Sequence, residues 1–148
     1  MEIKSALWNE GIIFTNVASK AEALEQLIAL ASKHPSVSNP KALSDGIYAR
    51  ERIISTGIGL GVAIPHAKIR GISHFFICVA VLEKGIDWDA IDDEAVRIIF
   101  MIAGPDSQQN QYLQLLARLS LAIKNQTKRD AILNARQAQT ILDILNQP

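Results

Sequence analysis

The sequence predicts an α/β or α+β layered fold in which helices lie before, between and after central strands. Two near-continuous apolar runs, Phe75 to Leu82 and Val96 to Ile102, are rich in β-branched and aromatic residues, as strands covered on both faces require. Segments whose apolar residues recur at three and four positions stand on either side of these runs. A chain of 148 residues matches the usual size of one domain with one substantial core, so a single domain over 1–148 is expected.

The first helix signal is Ser19-Lys20-Ala21-Glu22, a capping box in which Ser19 and Glu22 satisfy each other's orphan backbone donors. Leu24, Leu27, Ile28 and Ala31 then share a face, and Pro35 sets an end near Lys33 by disfavouring helical geometry at His34. A second helix begins at Asn39-Pro40, with Asn39 as cap and Pro40 in the first turn, and carries Leu43, Ile47 and Tyr48 before ending near Arg50. Gly57 to Pro65, with three glycines and a proline among Ile, Leu, Val and Ala, reads as a short strand between tight turns. The two long strands follow. Ser107 to Lys124 then turns helical, with Leu113, Leu116, Leu119 or Ser120, and Ile123 as its apolar row. Thr127 to Asn134 and Gln137 to Asn146 read as two further amphipathic helices.

Fifteen Lys and Arg balance fifteen Asp and Glu, so no net field draws the chain to nucleic acid or an anionic membrane, and any anion site must be local. The apolar runs are about half the length a membrane-spanning helix needs. The start MEIKSALWNE lacks the apolar core of a signal peptide, and the lone Cys78 has no partner for an intramolecular disulfide. A cytoplasmic protein without membrane insertion is expected.

Val62-Ala63-Ile64-Pro65-His66-Ala67-Lys68 is the most informative segment, because an apolar strand ends at a proline and a histidine comes next. Pro65 fixes its own backbone angle and restricts Ile64, so stiff main chain presents the His66 ring. Near neutral pH much of an imidazole is uncharged and has a ring nitrogen free to attack, and its phosphoramidate stays reactive enough to pass the group on. Phosphoryl transfer also asks for positive charge around the equatorial oxygens, and Arg50, Lys68 and Arg70 are the cations nearby in sequence. A histidine after a strand also fits a purely structural role.

Tyr48-Ala49-Arg50-Glu51, Ser55-Thr56-Gly57-Ile58-Gly59 and Gly61 to Lys68, in that order, resemble the phosphorylation-site region of fructose, mannitol and nitrogen-regulatory enzyme IIA domains of the sugar phosphotransferase system. Gly85 to Ala90 and Val96 to Pro105 resemble the next blocks of that family, so the likeness covers most of the chain. The resemblance implies a central mixed sheet flanked by helices and a phosphohistidine carrier that needs neither cofactor nor metal. It implies that His66 receives phosphate on Nε2 from the phosphocarrier HPr or its nitrogen-branch paralogue. The group then passes to a IIB domain or serves as a signal to a regulatory target.

By the same resemblance Arg50 holds phosphate oxygens with its planar fork, against an alternative surface ion pair with Glu51 or Asp45. Thr56 donates a hydroxyl hydrogen bond near the site or makes a local turn bond. Lys68 occupies an often basic position or is a solvated lysine. Tyr112 stands where many members carry a second active-site histidine. A phenol can donate a hydrogen bond there but does not titrate near neutrality, and plain helix packing is its alternative role. With no attached IIB or membrane segment, the nitrogen-regulatory type is favoured over a transport subunit. A binding regulator that keeps the fold without cycling phosphate is the alternative that Tyr112 motivates.

His34 is expected to meet the last carbonyls of its helix, His74 precedes a strand, and neither has metal-ligand company. Cys78 reads as an inert core thiol. Asp87, Asp89, Asp92, Asp93 and Glu94 read as a solvated acidic turn without calcium-loop spacing. Gly57-Ile58-Gly59-Leu60-Gly61 lacks the spacing and the following helix of a dinucleotide loop.

Overall fold

The computed structural model describes residues 3–147. The elements are α1 (Ile3–Ala6), β1 (Leu7–Thr15), α2 (Lys20–Ala31), α3 (Pro40–Ile53), β2 (Gly57–Gly59), β3 (Val62–Ala63), β4 (His66–Lys68), β5 (Phe76–Ile86), β6 (Val96–Gly104), α4 (Gln109–Lys124), α5 (Gln126–Asn134) and α6 (Ala138–Asn146). They form a mixed six-stranded sheet in the order β1-β5-β6-β3-β2, with β4 pairing to β6. The strands β5 and β6 pair antiparallel at its centre, while β1 joins β5 and both β3 and β4 join β6 in parallel.

Both faces of the central strands are covered, as the apolar runs foretold. Ile77, Val79, Val81, Ile98, Phe100 and Ile102 pack against α4, α5 and α6. Phe76, Cys78, Ala80, Ile99, Met101 and Ala103 point the other way, into the layer of α2 and α3. This two-sided burial is why the runs show no polar alternation.

The helix caps hold with one change of partner. Ser19 Oγ accepts from the Glu22 amide at 3.2 Å, but the Glu22 carboxylate takes the Ala18 N–H, also at 3.2 Å, in place of the Ser19 N–H. The helix α2 stops at Ala31, two residues before the expected Lys33, and tight turns from Leu30 to Lys33 and from Ala31 to His34 follow it. Asn39 caps α3 through the Ala42 amide at 3.2 Å.

Two expectations change, and one strand comes from a segment for which none was stated. Gly57 to Pro65 is a hairpin of two strands, turned by Leu60 and Gly61 at φ of 61° and 75°, a left-handed pair that matches strand twist. Helix α4 buries Tyr112, Leu115, Leu119, Ala122 and Ile123, one position round from the expected row, and leaves Leu113 50% exposed. Both rows satisfy helical spacing, and the choice falls to the one that tucks the large Tyr112 ring under the sheet edge. The segment before Ser19 carries a strand that periodicity hides: between Leu7 and Ile12, five steps along β1 meet two along β5, so a wide bulge erases the alternation.

Gly104, the last residue of β6, pairs with Lys68 of β4. A Cβ there would lie 1.9 Å from Cδ1 of Phe75, a ring that is 1% exposed. Gly104→Ala should therefore cost about 1–3 kcal/mol. Urea unfolding checks this, as a lower midpoint at unchanged slope.

Candidate functional site

Sheet geometry presents His66 differently from a residue placed beyond a strand's end. Residues 62–68 follow one edge of β6, first as β3 opposite Ile98 and Ile99, then as β4 opposite Ile102, Ala103 and Gly104. Pro65 has no N–H to give, and the ladder breaks at Ile64-Pro65. The break is still anchored: the Ile64 amide donates to Thr56 O at 3.0 Å, and Pro65 O accepts from the Ile102 amide at 3.0 Å. The strand resumes at His66, so the histidine opens a strand.

The ring is half-buried, and its Nδ1 lies 2.9 Å from Ile64 O. A carbonyl only accepts, so Nδ1 carries the proton in the neutral ring and Nε2 keeps its lone pair. Burial pushes the imidazole below its ordinary 6.5; the Ile64 hydrogen bond opposes this, the positive charges of Arg50 and Lys68 add to it, and Glu51 weakly opposes. The site therefore favours a neutral ring among cations.

Arg50 lies in the last turn of α3 and donates from Nη1 to Ile54 O at 2.8 Å. The carboxylates considered as its partners are engaged elsewhere, Asp45 with Lys41 at 2.8 Å and Glu51 with Lys20 at 2.9 Å. Its charge is thus left to act on His66 and Tyr112. Lys68 is two residues beyond His66 in β4, so both side chains leave the same face of the strand. Its ammonium stands 4.8 Å from the centre of the Tyr112 ring and is hydrogen-bonded to the Gln109 side chain. Arg70 is exposed beyond the end of β4.

Tyr112, in the first turns of α4, has its ring centroid 5.6 Å from that of His66 and 6.0 Å from that of Phe75. It is 7% exposed, so it packs in the core and borders the histidine at once. Burial raises its phenol above 10.0, with Arg50 opposing, and the hydroxyl stays protonated.

Thr56 is placed by Glu51, which the sequence analysis weighed only as an ion-pair partner of Arg50. Its hydroxyl donates to Glu51 Oε1 at 2.6 Å, its amide donates to Glu51 Oε2 at 2.8 Å, and its Oγ1 accepts from Trp88 Nε1 at 3.2 Å. The Glu51 side chain is 6% exposed, and Trp88, embedded in the acidic loop, is fully buried. This network ties the end of α3, which carries Arg50, to the hairpin that leads to His66. The signal that could have found Glu51 was its position, one residue after the candidate arginine and five before the candidate threonine.

The other candidates stand apart. His34 stacks on Phe76 at 3.9 Å, and its Nδ1 accepts from the Ser36 amide at 3.0 Å in place of the expected contact with helix carbonyls. His74 is exposed and contacts the Ser73 hydroxyl. Cys78 is buried, and desolvation pushes its thiol up to about 12. In the acidic loop Asp92 accepts from the Leu60 and Glu94 amides, each at 3.0 Å, and so staples the β2–β3 turn. Beside the end of α3, Ile54, Ile58 and Ile91 are 66%, 44% and 83% exposed and line a shallow cleft of about 340 Å³.

His66 is expected to titrate below 6.5 in the folded protein. The unfolded chain then binds this proton more readily, so the ring's contribution to stability is complete above 6.5 and lost as pH falls toward the lower folded value. Ring-proton NMR against pH checks the midpoint, and Arg50→Ala should move it upward.

The sequence model of the phosphoenolpyruvate-dependent sugar phosphotransferase system, EIIA 2, matches residues 6–147. A fructose-specific EIIA component from Haloferax volcanii is 36% identical over 86% of this chain and 83% of its own length. A nitrogen regulatory protein from Bradyrhizobium diazoefficiens is 31% identical over 89% of this chain and 86% of its own. Among solved structures, the nitrogen regulatory protein IIA-Ntr from Neisseria meningitidis superposes with a TM-score of 0.89 at 26% identity, covering 97% of this chain and 98% of that one. The Escherichia coli mannitol IIA shares the fold, with a TM-score of 0.79 at 18% identity over 93% and 97% of the two chains.

Proposed function

The chain belongs to the EIIA type-2 family of the phosphoenolpyruvate-dependent sugar phosphotransferase system, and on that premise we propose that it is a cytoplasmic phosphocarrier whose acceptor is Nε2 of His66. The observation that carries this reading is the Nδ1 hydrogen bond to Ile64 O, which leaves the lone pair on Nε2 of a ring that feels the positive charges of Arg50 and Lys68. In the transfer, the Nε2 pair attacks phosphorus of a phosphohistidine donor as the donor's P–N bond breaks. The bonding pair returns to the donor ring, and the new phosphoramidate leaves His66 with its proton on Nδ1, still held by Ile64 O.

Charge governs the step. Arg50 supplies a fork for the equatorial oxygens, and Lys68 leaves the Tyr112 face and Gln109 to follow the phosphate. Thr56 acts through Glu51 as a positioning residue, because its hydroxyl proton is already given to that carboxylate. Tyr112 donates its phenol hydrogen to a phosphate oxygen. The exposed isoleucines at the end of α3 and in the acidic loop suit an HPr-like donor docked by apolar contact, which agrees with zero net charge and predicts a modest salt dependence.

Family relatives include both sugar-specific and nitrogen-regulatory proteins. The near-complete superposition on IIA-Ntr supports the regulatory branch, and the fructose-specific relative supports transfer to a IIB domain. The replacement of a second histidine by Tyr112 favours one further reading, a regulator that binds partners without cycling phosphate.

Labelled phosphate transfer from HPr and from its nitrogen-branch paralogue tests these readings. Acid-labile, alkali-stable label is expected on the parent protein and absent from His66→Ala. Arg50→Ala should slow transfer about a hundredfold, and Arg50→Lys should not restore it. Failure of both donors to label folded parent protein would leave the non-cycling regulator standing. In a second assay Ile54→Ser, which adds no charge beside Arg50, should raise the donor's apparent KM and leave the NMR titration of His66 in place.

A further inference from the structure

At the end of the sheet away from His66 lies a cleft of about 410 Å³, within the range of small-ligand sites. Val81 on its floor pairs with Ile98, four positions along β6 from Ile102, the partner of His66, which is roughly 13 Å at the strand rise. The cleft is walled by the end of β1, by β5 and β6, and by the loop between α5 and α6.

Its chemistry is set by two arginines. Arg97 is half-buried, and Arg136 is exposed on the loop. Neither is ion-paired among the described residues, whose two salt bridges lie elsewhere. Each is pinned by main chain: Arg97 donates from Nε to Leu82 O at 3.1 Å, and Arg136 donates from Nη1 to Asn134 O and Ala135 O, both at 3.1 Å. These bonds fix the guanidiniums and leave further N–H donors for a planar anion. Phe14, 41% exposed, adds an aromatic ring to the same wall, and the exposed Glu83 adds an acceptor. A half-buried and an exposed guanidinium, neither paired to a carboxylate among the described residues, next to an uncovered ring, are the complement of a ligand that joins a flat ring to an anionic group.

We propose that this cleft is a second site, distinct from His66, that binds small anions bearing a flat ring, the mononucleotide class. Arg97 and Arg136 take the phosphate, Phe14 stacks on the base, and Glu83 accepts from a hydroxyl or an amino group.

Calorimetric titration with adenosine monophosphate, adenosine and inorganic phosphate, followed in parallel by amide NMR, tests the assignment. Saturable binding of the nucleotide below millimolar concentration is expected, with resonances of Phe14, Arg97 and Arg136 moving. Adenosine and phosphate should each bind about tenfold more weakly, and Arg136→Gln, on an exposed loop, should weaken the nucleotide about tenfold. Arg97→Gln should do the same, with Arg136→Gln deciding if that variant does not fold. His66→Ala should bind as the parent does. Nucleotide binding that is absent, that matches phosphate, that survives the arginine changes or that is lost in His66→Ala would overturn the proposal.

Discussion

A missing hydrogen organises the site. Residues 62–68 run along one edge of β6 and would form a single strand there, but Pro65 cannot donate to the ladder, and the segment divides into β3 and β4. At the division Ile64 turns its amide to Thr56, and its carbonyl becomes the acceptor for His66 Nδ1. One interruption therefore sets three things together: where the histidine emerges, which tautomer it holds, and how the β2–β3 hairpin is tied to the sheet. A regular strand would have spent the Ile64 carbonyl on a neighbour and left the ring free to turn.

The second constraint is the placement of charge. Glu51 is the carboxylate closest in sequence to Arg50, and a direct pair between them would have neutralised the cation. Glu51 is occupied instead by Lys20 and by the amide and hydroxyl of Thr56, inside a packed region that includes Trp88. A carboxylate so fully satisfied stays where it is, because leaving its partners unpaired in a buried place is costly. The consequence is a divided electrostatic field. Negative charge is locked into the scaffold behind the hairpin, while Arg50 and Lys68, in no salt bridge among the described residues, act as cations on the half-buried imidazole.

The two long strands, the caps at Ser19 and Asn39 and the histidine after Pro65 were legible in the sequence, because each rests on a local rule: a two-sided apolar run, a capping side chain, a residue without an amide hydrogen. What was not legible depends on pairing between distant segments. The strand β1 has no two-residue period because its bulge lets five steps meet two on β5. Helix α4 offers two apolar rows of equal spacing, and only the edge that Phe75 and His66 form selects Tyr112 for the interior. The rigidity of Thr56 comes from Glu51 and from Trp88, thirty-two residues away, a contact that no spacing encodes.

Tyr112 shows how these levels meet in the proposed chemistry. A histidine beside His66 would be a second group titrating near neutrality, so the charge of the site would depend on two coupled protons. The phenol is raised above its ordinary value by burial and remains neutral wherever His66 titrates. The electrostatics of this site thus reduce to one titrating ring beside two cations, with the phenol contributing a donor and a wall. Because Lys68 rests on the face of that wall, Tyr112 also decides where this cation waits. A ring that never ionises holds it there at every pH at which the histidine works, so in the proposed transfer the arrival of phosphate, with its own charge, becomes the event that draws the ammonium away.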